Sequence, residues 1–213
     1  MKTASADVLS NMFEPNPLMV IFRGLGPHES IRLANLAWGT GIHVIEITLQ
    51  SPDDVESLEA VVEAGKHREK AIIGAGTVTR SSDVKDAVAA GAAFTVSPGF
   101  DVDIVKQSES AGLPSIPGVS TPTEVHHAIK SGLNWLKAFP AAHLGTEWFK
   151  ALRGPFPEAQ FIATGGLRVA DVFPLKDAGV RTVALGSALS NPDELAELPT
   201  LIKQLQSQSS NAR

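Results

Sequence analysis

The feature that most constrains the fold of this chain is a repeated alternation of short apolar runs with helix-like segments. Runs that read as continuous apolar strands and alternate with helices are typical of a parallel sheet covered on both faces. Eight units at intervals of about 20 to 30 residues predict a (β/α)8 barrel, also called a TIM barrel. The eight runs begin at Leu18, Ile42, Ala71, Ala92, Leu113, Leu133, Gln160 and Arg181.

The segments between the runs carry helical spacing and helix boundaries. After the second run, Val55, Leu58 and Val62 recur at helical spacing, with Ser51 as N-cap and Pro52 in the first turn. Five segments end in Gly next to a small residue, where the chain is expected to turn left-handed: WGTG, AAG, SAG, KSG and DAG. A doubly wound open sheet is the alternative fold, but no G-x-G-x-x-G follows the first run.

The boundaries of the barrel follow from the same pattern. Pro174 and Pro199 interrupt two helical segments, which predicts short broken helices there. Residues 3–13 are predicted to form an extra helix, residues 14–206 the barrel proper and residues 207–213 a frayed C-terminal tail. No flexible or charged linker interrupts the chain, so residues 1–213 are expected to form a single domain.

Composition excludes several classes of partner. The formal net charge is −5 and no basic cluster is present, so neither nucleic acid nor an anionic membrane is an expected partner. The chain has no cysteine, which removes disulfides, thiolate metal sites and cysteine nucleophiles. Glu14, Pro15 and Pro17 break the N-terminal apolar stretch before it could form a signal-peptide core, so a cytoplasmic protein is expected.

A TIM barrel carries its active site at the carboxyl ends of its strands. Polar residues and glycines at those ends are therefore the candidates for chemistry. They are Arg23, Glu46, Thr48, Thr77, Lys137, Thr164, Gly165, Gly166, Gly186 and Ser187.

Lys137 stands inside the apolar run WLKAFP. Period-two alternation places it with Trp135 and Phe139 on the face predicted to be the barrel interior, while Leu136 and Ala138 face the helices. A water-poor interior favours the neutral amine, which is the form that attacks a carbonyl to make a Schiff base. The alternative is a lysine that reaches solvent or pairs with a carboxylate.

Glu46 is the other charged residue expected inside the barrel, on one strand face with Val44 and Thr48. A buried carboxylate is costly unless it is paired. Either Glu46 and Lys137 form a structural ion pair, or Glu46 is a general acid/base beside an imine-forming lysine. Two ionisable groups in the active half of one barrel favour the functional interpretation.

The stretches ATGG and LGS end the seventh and eighth runs. TIM barrels often build a phosphate site at these two places from backbone N–H groups and a hydroxyl. The two stretches together therefore predict a phosphate site. The six histidines show no spacing typical of metal ligands, so no metal is expected.

Taken together, the sequence resembles the 2-keto-3-deoxy-6-phosphogluconate (KDPG) aldolases, also described as 4-hydroxy-2-oxoglutarate (KHG) aldolases. The resemblance covers nearly the whole chain. It rests on VIEITL at 44–49, IIGAGTV at 72–78, VSPG at 96–99, IPGVSTPTE at 116–124, LKAFPA at 136–141, KALRGPFP at 150–157, ATGG at 163–166 and LGSAL at 185–189.

The resemblance implies a class I aldolase of carbohydrate metabolism, of the Entner–Doudoroff type, that needs no cofactor. Lys137 matches the Schiff-base lysine and Glu46 the acid/base. The substrate would be a 2-keto-3-deoxy-6-phospho sugar acid or 4-hydroxy-2-oxoglutarate, and the products pyruvate plus glyceraldehyde 3-phosphate or glyoxylate. The usual assembly of the family implies a homotrimer.

The resemblance also implies the roles of the remaining site residues. Thr77 and the backbone near Pro98 help to hold the pyruvate carboxylate, and Phe139 packs on the reacting carbons. Some members carry an arginine after E-x-T-L, where this chain has Gln50; others carry one where Arg23 stands, so Arg23 is assigned to substrate anion binding. The distal phosphate is surrounded by Thr164, Gly165, Gly166, Gly186 and Ser187.

Three alternatives stay open at the level of sequence. The first is an aldolase for 2-keto-3-deoxy-6-phosphogalactonate. The second is a sugar-phosphate isomerase, epimerase or decarboxylase in which Lys137 acts by its charge and forms no imine. The third is a non-catalytic barrel that binds a phosphorylated metabolite, with Lys137 and Glu46 as a structural pair.

Overall fold

A barrel of parallel strands with helices around it forms the protein in the computed structural model, which describes residues 4–211. The strands are β1 Leu18–Phe22, β2 Val44–Thr48, β3 Ile72–Gly76, β4 Thr95–Val96, β5 Ser115–Ile116, β6 Gly118–Val119, β7 Trp135–Ala138, β8 Gln160–Ala163 and β9 Thr182–Leu185. The α-helices are α1 Ala4–Phe13, α2 Gly26–Thr40, α3 Pro52–Gly65, α4 Ser81–Ala89, α5 Val102–Ser110, α6 Pro122–Lys130, α7 Ala141–Arg153, α8 Val172–Asp177 and α9 Pro192–Asn211. A short 3-10 helix, Val169–Asp171, precedes α8.

The strands pair in the order β5-β4-β3-β2-β1-β9-β8-β7-β6. The two ends of this order, β5 and β6, are halves of the fifth predicted run and are separated by Pro117 alone. β5 pairs with β4 and β6 pairs with β7, while the carbonyl of Pro117 accepts a 2.9 Å hydrogen bond from the N–H of Lys137. The predicted (β/α)8 barrel is therefore confirmed. Its fifth strand is split because proline has no N–H to donate.

Side chains inside and outside the barrel form two separate apolar clusters. Leu136 and Ala138 belong to the cluster between the strands and the helices, whereas Trp135 belongs to the interior cluster, as period-two alternation predicts. The interior cluster also contains Leu9 and Phe13 of α1. The ring of Phe13 lies 5.2 Å from that of Phe94, so α1 closes the amino end of the barrel and leaves the carboxyl end open.

The predicted helix boundaries are largely present. Ser51 caps α3 and accepts a hydrogen bond from the N–H of Asp54. All five of the predicted helix-ending glycines have positive φ: Gly41, Gly91, Gly112, Gly132 and Gly179. The extra N-terminal helix is confirmed from Ala4 to Phe13, and residue 3 lies outside the described residues.

Of three expectations about the C-terminal third, one is confirmed and two are wrong. The segment around Pro174 is a short broken helix, as predicted, because the 3-10 helix Val169–Asp171 is followed by α8, which has six residues. The break comes before the proline, since Pro174 is the third residue of α8, where its missing N–H is not needed. α9 continues through Pro199, because Leu198, Leu201 and Leu205 bury one face of the helix while Pro199 lies on the exposed side. Residues 207–211 belong to α9, not to a frayed tail, and residues 212–213 lie outside the described residues.

None of the helices within residues 4–211 is both long enough and apolar enough to cross a bilayer.

Candidate active site

Lys137 and Glu46 approach each other across the barrel. Their strands, β7 and β2, lie on opposite sides in the strand order. The side chains meet with Lys137 Nζ 3.5 Å from Glu46 Oε1, and the two residues are 4% and 0% exposed. That distance is the outer limit of a hydrogen bond, and Glu46 Oε2 is buried with no partner among the described residues. The pair is therefore loose, and Oε2 of Glu46 remains able to accept hydrogen bonds.

Two glycines on β3 leave space for inward side chains, one for the Glu46 carboxylate and the other for the Phe94 ring. A Cβ atom on Gly76 would lie 2.1 Å from Glu46 Oε1, and one on Gly74 would lie 2.3 Å from the Phe94 ring. This role of Gly76 was not predicted from the sequence. The available signal was the alternation of Gly74 and Gly76 on the inward face of β3, next to Glu46 and Thr48 of β2.

The strand order divides the mouth of the barrel into two halves about the axis from Glu46 to Lys137. The first half, over β3 and β4, contains Thr77 and Pro98. Thr77 is half-buried and has φ +58°, a strained conformation for a β-branched residue. The peptide groups on both sides of Thr77 are fixed: the carbonyl of Gly76 accepts a hydrogen bond from the N–H of Leu49, and the N–H of Val78 donates to the carbonyl of Val96. Pro98 is exposed, and its carbonyl lies 2.1 Å from where a Cβ on Gly118 would stand.

The second half of the mouth, over β8 and β9, contains the turns ATGG and LGS. The side-chain oxygen of Thr164 is buried and has no partner within the described part of the chain. No backbone N–H of Gly165, Gly166, Gly186 or Ser187 donates to another residue in 4–211, so these donors are available to a ligand. Gly165 and Gly166 have φ of +97° and +72°. This arrangement suits an anion.

Phe139 connects the lysine to the second half of the mouth. Its ring is 38% exposed and lies 5.4 Å from Lys137 Nζ, measured to the ring centroid. A Cβ on Gly165 would be 2.8 Å from the same ring. Phe139 is therefore an apolar wall between the amine and the anion-binding turn at Gly165.

Arg23 and Thr48 lie at the ends of neighbouring strands. Thr48 ends β2, is fully buried and has a side-chain oxygen with no partner in the described residues. Arg23 directly follows β1, is exposed and donates a hydrogen bond from Nη1 to Oε1 of Gln50. No carboxylate among the described residues lies within ion-pair distance of Arg23, whose charge is thus met by a neutral amide.

Asp54 is a further residue of the mouth that the sequence analysis did not single out. Its carboxylate is buried and accepts hydrogen bonds from the N–H groups of Gly24, Gln50 and Ser51, at 3.2, 3.1 and 3.0 Å. It therefore joins the loop after β1 to the loop after β2. The available signal was S-P-D-D, which has an acidic residue at the third helical position, as in a capping box.

Two other carboxylates cap helices at the same end of the barrel. For Asp83 and Glu124, burial alone would raise the pKa, but hydrogen bonds from N–H groups outweigh it and hold each pKa below its ordinary value. The donors include the N–H groups of Thr79 and Arg80 for Asp83, and of Ser120 and Thr121 for Glu124. Nowhere in residues 4–211 do three His, Asp or Glu side chains cluster as a metal site would require.

The comparison with known families agrees with the geometry. Residues 11–198 match the family model described as KDPG and KHG aldolase. A 2-dehydro-3-deoxy-6-phosphogalactonate aldolase of Escherichia coli (strain K12) is 31% identical over 182 residues, which cover 85% of this chain and 88% of the relative. A 2-dehydro-3-deoxy-phosphogluconate aldolase of Pseudoalteromonas atlantica is 34% identical over 167 residues, covering 78% and 74%.

A solved structure shows the same likeness in three dimensions. The KDPG aldolase of Legionella pneumophila, with pyruvate captured at low pH as a covalent carbinolamine intermediate, superposes with a TM-score of 0.78. It is 29% identical in sequence, and the match covers 94% of this chain and 96% of that one.

Proposed function

Since this chain belongs to the KDPG and KHG aldolase family, we propose that it is a class I aldolase that forms a Schiff base with its substrate. The substrate is a 2-keto-3-deoxy-6-phospho sugar acid or 4-hydroxy-2-oxoglutarate, and the products are pyruvate and an aldehyde. The observation that carries this proposal is the pairing of Lys137 with Glu46, buried at 3.5 Å where the strands of the barrel end.

The chemistry begins with attack of the neutral Lys137 amine on the C2 carbonyl. Glu46 supplies a proton to the carbinolamine hydroxyl, which leaves as water and gives a protonated imine. Glu46, now ionised, takes the proton of the C4 hydroxyl as the C3–C4 bond breaks, and the imine accepts the electron pair. The aldehyde departs and an enamine of pyruvate remains, which is protonated at C3 and then hydrolysed.

The two halves of the mouth hold the two ends of the substrate. In this proposal Thr77 and the backbone near Pro98 bind the pyruvate carboxylate, and the buried hydroxyl of Thr48 hydrogen-bonds a polar group close to Glu46. Phe139 packs on the reacting carbons. The distal phosphate is held by Arg23 together with the available N–H groups and hydroxyls of the two glycine turns, Thr164, Gly165, Gly166, Gly186 and Ser187.

Trapping with borohydride tests the imine directly. The protein is incubated with pyruvate and borohydride, and the intact mass and the modified peptide are measured by mass spectrometry. We expect one pyruvate-derived adduct, on Lys137. Lys137→Met should abolish it, whereas Lys176→Met should not, although burial lowers the pKa of Lys176.

Absence of an adduct from folded wild-type protein would contradict the proposal, provided that a known class I aldolase is trapped in parallel. An isomerase or a binding barrel would then account better for the site. An adduct on Lys176 alone would also contradict it, because it would show that only general amine reactivity had been measured.

The phosphogalactonate-derived substrate is the second candidate. It is supported by the 31% identity to the Escherichia coli enzyme of that name. The two phosphorylated substrates differ in configuration at C4, so kcat/KM measured for each of them decides between the two. A ratio above about 100 would correspond to specific recognition of one configuration.

The expected assembly follows from the family resemblance, and the expected location from the charge of the substrate. We expect a homotrimer, which light scattering coupled to size-exclusion chromatography tests. A monomeric mass at micromolar concentration would contradict it. We place the enzyme in the cytoplasm because phosphorylated sugar acids carry charges that do not cross a membrane unaided.

A further inference from the structure

The carboxylate of Asp54 contacts two loops that carry candidate substrate-binding residues. Oδ1 accepts a 3.2 Å hydrogen bond from the N–H of Gly24, the residue after Arg23. Oδ2 accepts from the N–H of Gln50 at 3.1 Å and from the N–H and hydroxyl of Ser51. One side chain thus fixes a peptide next to Arg23 and a peptide next to Gln50.

This reach distinguishes Asp54 from the other capping carboxylates at the same end of the barrel. Asp83 and Glu124 also stand at the third position of their helices and accept from two successive N–H groups. All the hydrogen bonds that the described residues donate to them come from within their own turn, at a sequence separation of four or less. The hydrogen bond from Gly24 to Asp54 spans 30 residues.

The two loops also meet through side chains. Arg23 donates to Gln50, and β1 and β2 are neighbours, with Ile21 paired to Glu46 and Phe22 to Ile47. β1, which Arg23 directly follows, also pairs with β9, the strand that ends in the LGS turn. Arg23 therefore follows a strand that lies between the Glu46 strand and the strand leading to a glycine turn with available N–H donors.

We propose that Asp54 is a positioning residue that holds Arg23 and Gln50 as one unit, aimed at the distal anionic group of the substrate. The inference rests on the proposed aldolase function. Asp54 is too deeply placed, at 4% exposure, and too fully occupied by N–H donors to bind the anion itself. Its effect on catalysis passes through Arg23.

A double-mutant cycle tests this role. The variants are Asp54→Asn, Arg23→Gln and the combination, with Asp83→Asn as the matched control because it alters a cap of the same kind on α4. Each is assayed for kcat and KM in cleavage of 2-keto-3-deoxy-6-phosphogluconate. The rate of borohydride trapping is measured over a range of pyruvate concentrations.

Asp54→Asn should raise KM about tenfold and change kcat less than twofold, since misplacing a binding group weakens substrate positioning. Asp83→Asn should leave both constants within twofold. In the Arg23→Gln background, Asp54→Asn should have no further effect on KM. Pyruvate trapping, which involves no distal anion, should keep its concentration dependence in every variant.

Three results would overturn the proposal. One is additivity, in which Asp54→Asn raises KM by the same factor with and without Arg23. Another is an equal rise in KM for Asp83→Asn, which would mean that Asp54 acts only as a helix cap. The last is a change in how the trapping rate depends on pyruvate concentration. That result would mean that Arg23 and Gln50 act on the carboxylate end of the substrate and not on its distal anionic group. Failure of the aldolase function itself looks different, because wild-type protein would then not be trapped.

Should Asp54→Asn fail to fold, Asp54→Glu takes its place in the cycle. Glu124 shows that a glutamate completes a cap of this type on α6. The longer side chain preserves a cap while displacing the carboxylate from Gly24, so the same rise in KM and the same dependence on Arg23 are expected. A wild-type KM for this variant would contradict the proposal.

Discussion

At the scale of single residues, the site depends on two charged groups being buried with few competing partners. Within residues 4–211, Lys137 Nζ has a single hydrogen-bond acceptor, Glu46 Oε1 at 3.5 Å, and Glu46 Oε2 has no partner. A tight, fully hydrogen-bonded pair would occupy both groups and leave neither available to a substrate. The loose pair leaves both the amine and the carboxylate available to a substrate. This is why we favour catalysis over a structural role for the pair.

The proton-transfer role of Glu46 predicts a specific defect. Glu46→Gln keeps the shape of the side chain and removes its ability to exchange a proton, so imine formation with pyruvate should slow by about 100-fold or more. The measurement is the rate of borohydride-trapped adduct over time. Thr95→Val, which removes a buried hydroxyl that has no partner among the described residues and no assigned role in the site, serves as control and should slow trapping far less. Trapping of Glu46→Gln at the wild-type rate would refute this role.

The space beside Glu46 predicts a second defect. In Gly76→Ala the new methyl would stand 2.1 Å from Glu46 Oε1, so the carboxylate must move. We expect kcat to fall at least about tenfold and stability to fall by about 1 to 3 kcal/mol. The measurements are steady-state kinetics and urea unfolding.

Gly39→Ala provides the matched control for that change. Gly39 lies on the exposed side of α2, and a Cβ there would meet nothing within 4 Å. Its replacement should leave kcat unchanged and stabilise the helix by about 0.5 to 1 kcal/mol. Equal losses in the two variants would mean that contact with Glu46 is not the cause.

At the scale of elements, the helix starts at the open end of the barrel are fixed by carboxylates. α6 is the clearest case, because Glu124 accepts from the N–H groups of Ser120 and Thr121, both at 2.8 Å. These bonds fix the turn that joins β6 to α6. Trp148 of α7 also donates to the carbonyl of Ser120, so the same turn supports the next helix.

The lowered pKa of Glu124 predicts how stability depends on pH. A carboxyl group whose pKa is lower in the folded state stabilises the protein above its unfolded pKa, near 4.5, and loses this contribution as pH falls through the folded pKa. Glu124→Gln should therefore cost about 1 kcal/mol at pH 7 and progressively less below pH 4.5. Urea unfolding of both proteins between pH 3 and 7 measures the difference. A difference independent of pH would contradict the assignment.

At the scale of the whole molecule, the barrel is closed at one end and open at the other. α1 closes the amino end, where Phe13 packs on Phe94 and Trp135 at 5.2 and 5.5 Å between ring centroids. Trp135 Nε1 also donates to the hydroxyl of Ser10. Packing at the amino end of the barrel interior therefore supports β7, the strand that carries Lys137.

Removal of this closure should destabilise the fold. Phe13 is fully buried, so Phe13→Ala should lower the free energy of unfolding by about 3 to 5 kcal/mol. Val8, on the same helix, is 40% exposed, and Val8→Ala should change it by less than about 0.5 kcal/mol. Urea unfolding monitored by tryptophan fluorescence compares the two. Similar values would show that α1 does not seal the interior.

The sequence by itself determined the features that depend on local periodicity. The count of eight strand units, the helix-ending glycines, the cap at Ser51 and the inward direction of Trp135 follow from patterns that span fewer than about 20 residues. The same alternation brought Lys137 and Glu46 to the interior. The rule that barrel sites lie at the strand ends supplied the residues of the two glycine turns. The family resemblance, which uses ordered motifs along the chain, added Pro98 and the role of Phe139.

The tertiary structure alone decided the features that depend on contacts between distant residues. Lys137 and Glu46 are 91 residues apart, and their 3.5 Å separation is set by how the barrel closes around the split strand at Pro117. The space at Gly76 and the reach of Asp54 to Gly24 likewise depend on neighbouring strands. Pro199 was misjudged for the same reason, because burial of one face of α9 outweighs a local rule. Local periodicity determines the direction of a side chain, whereas its contacts depend on how distant parts of the chain pack together.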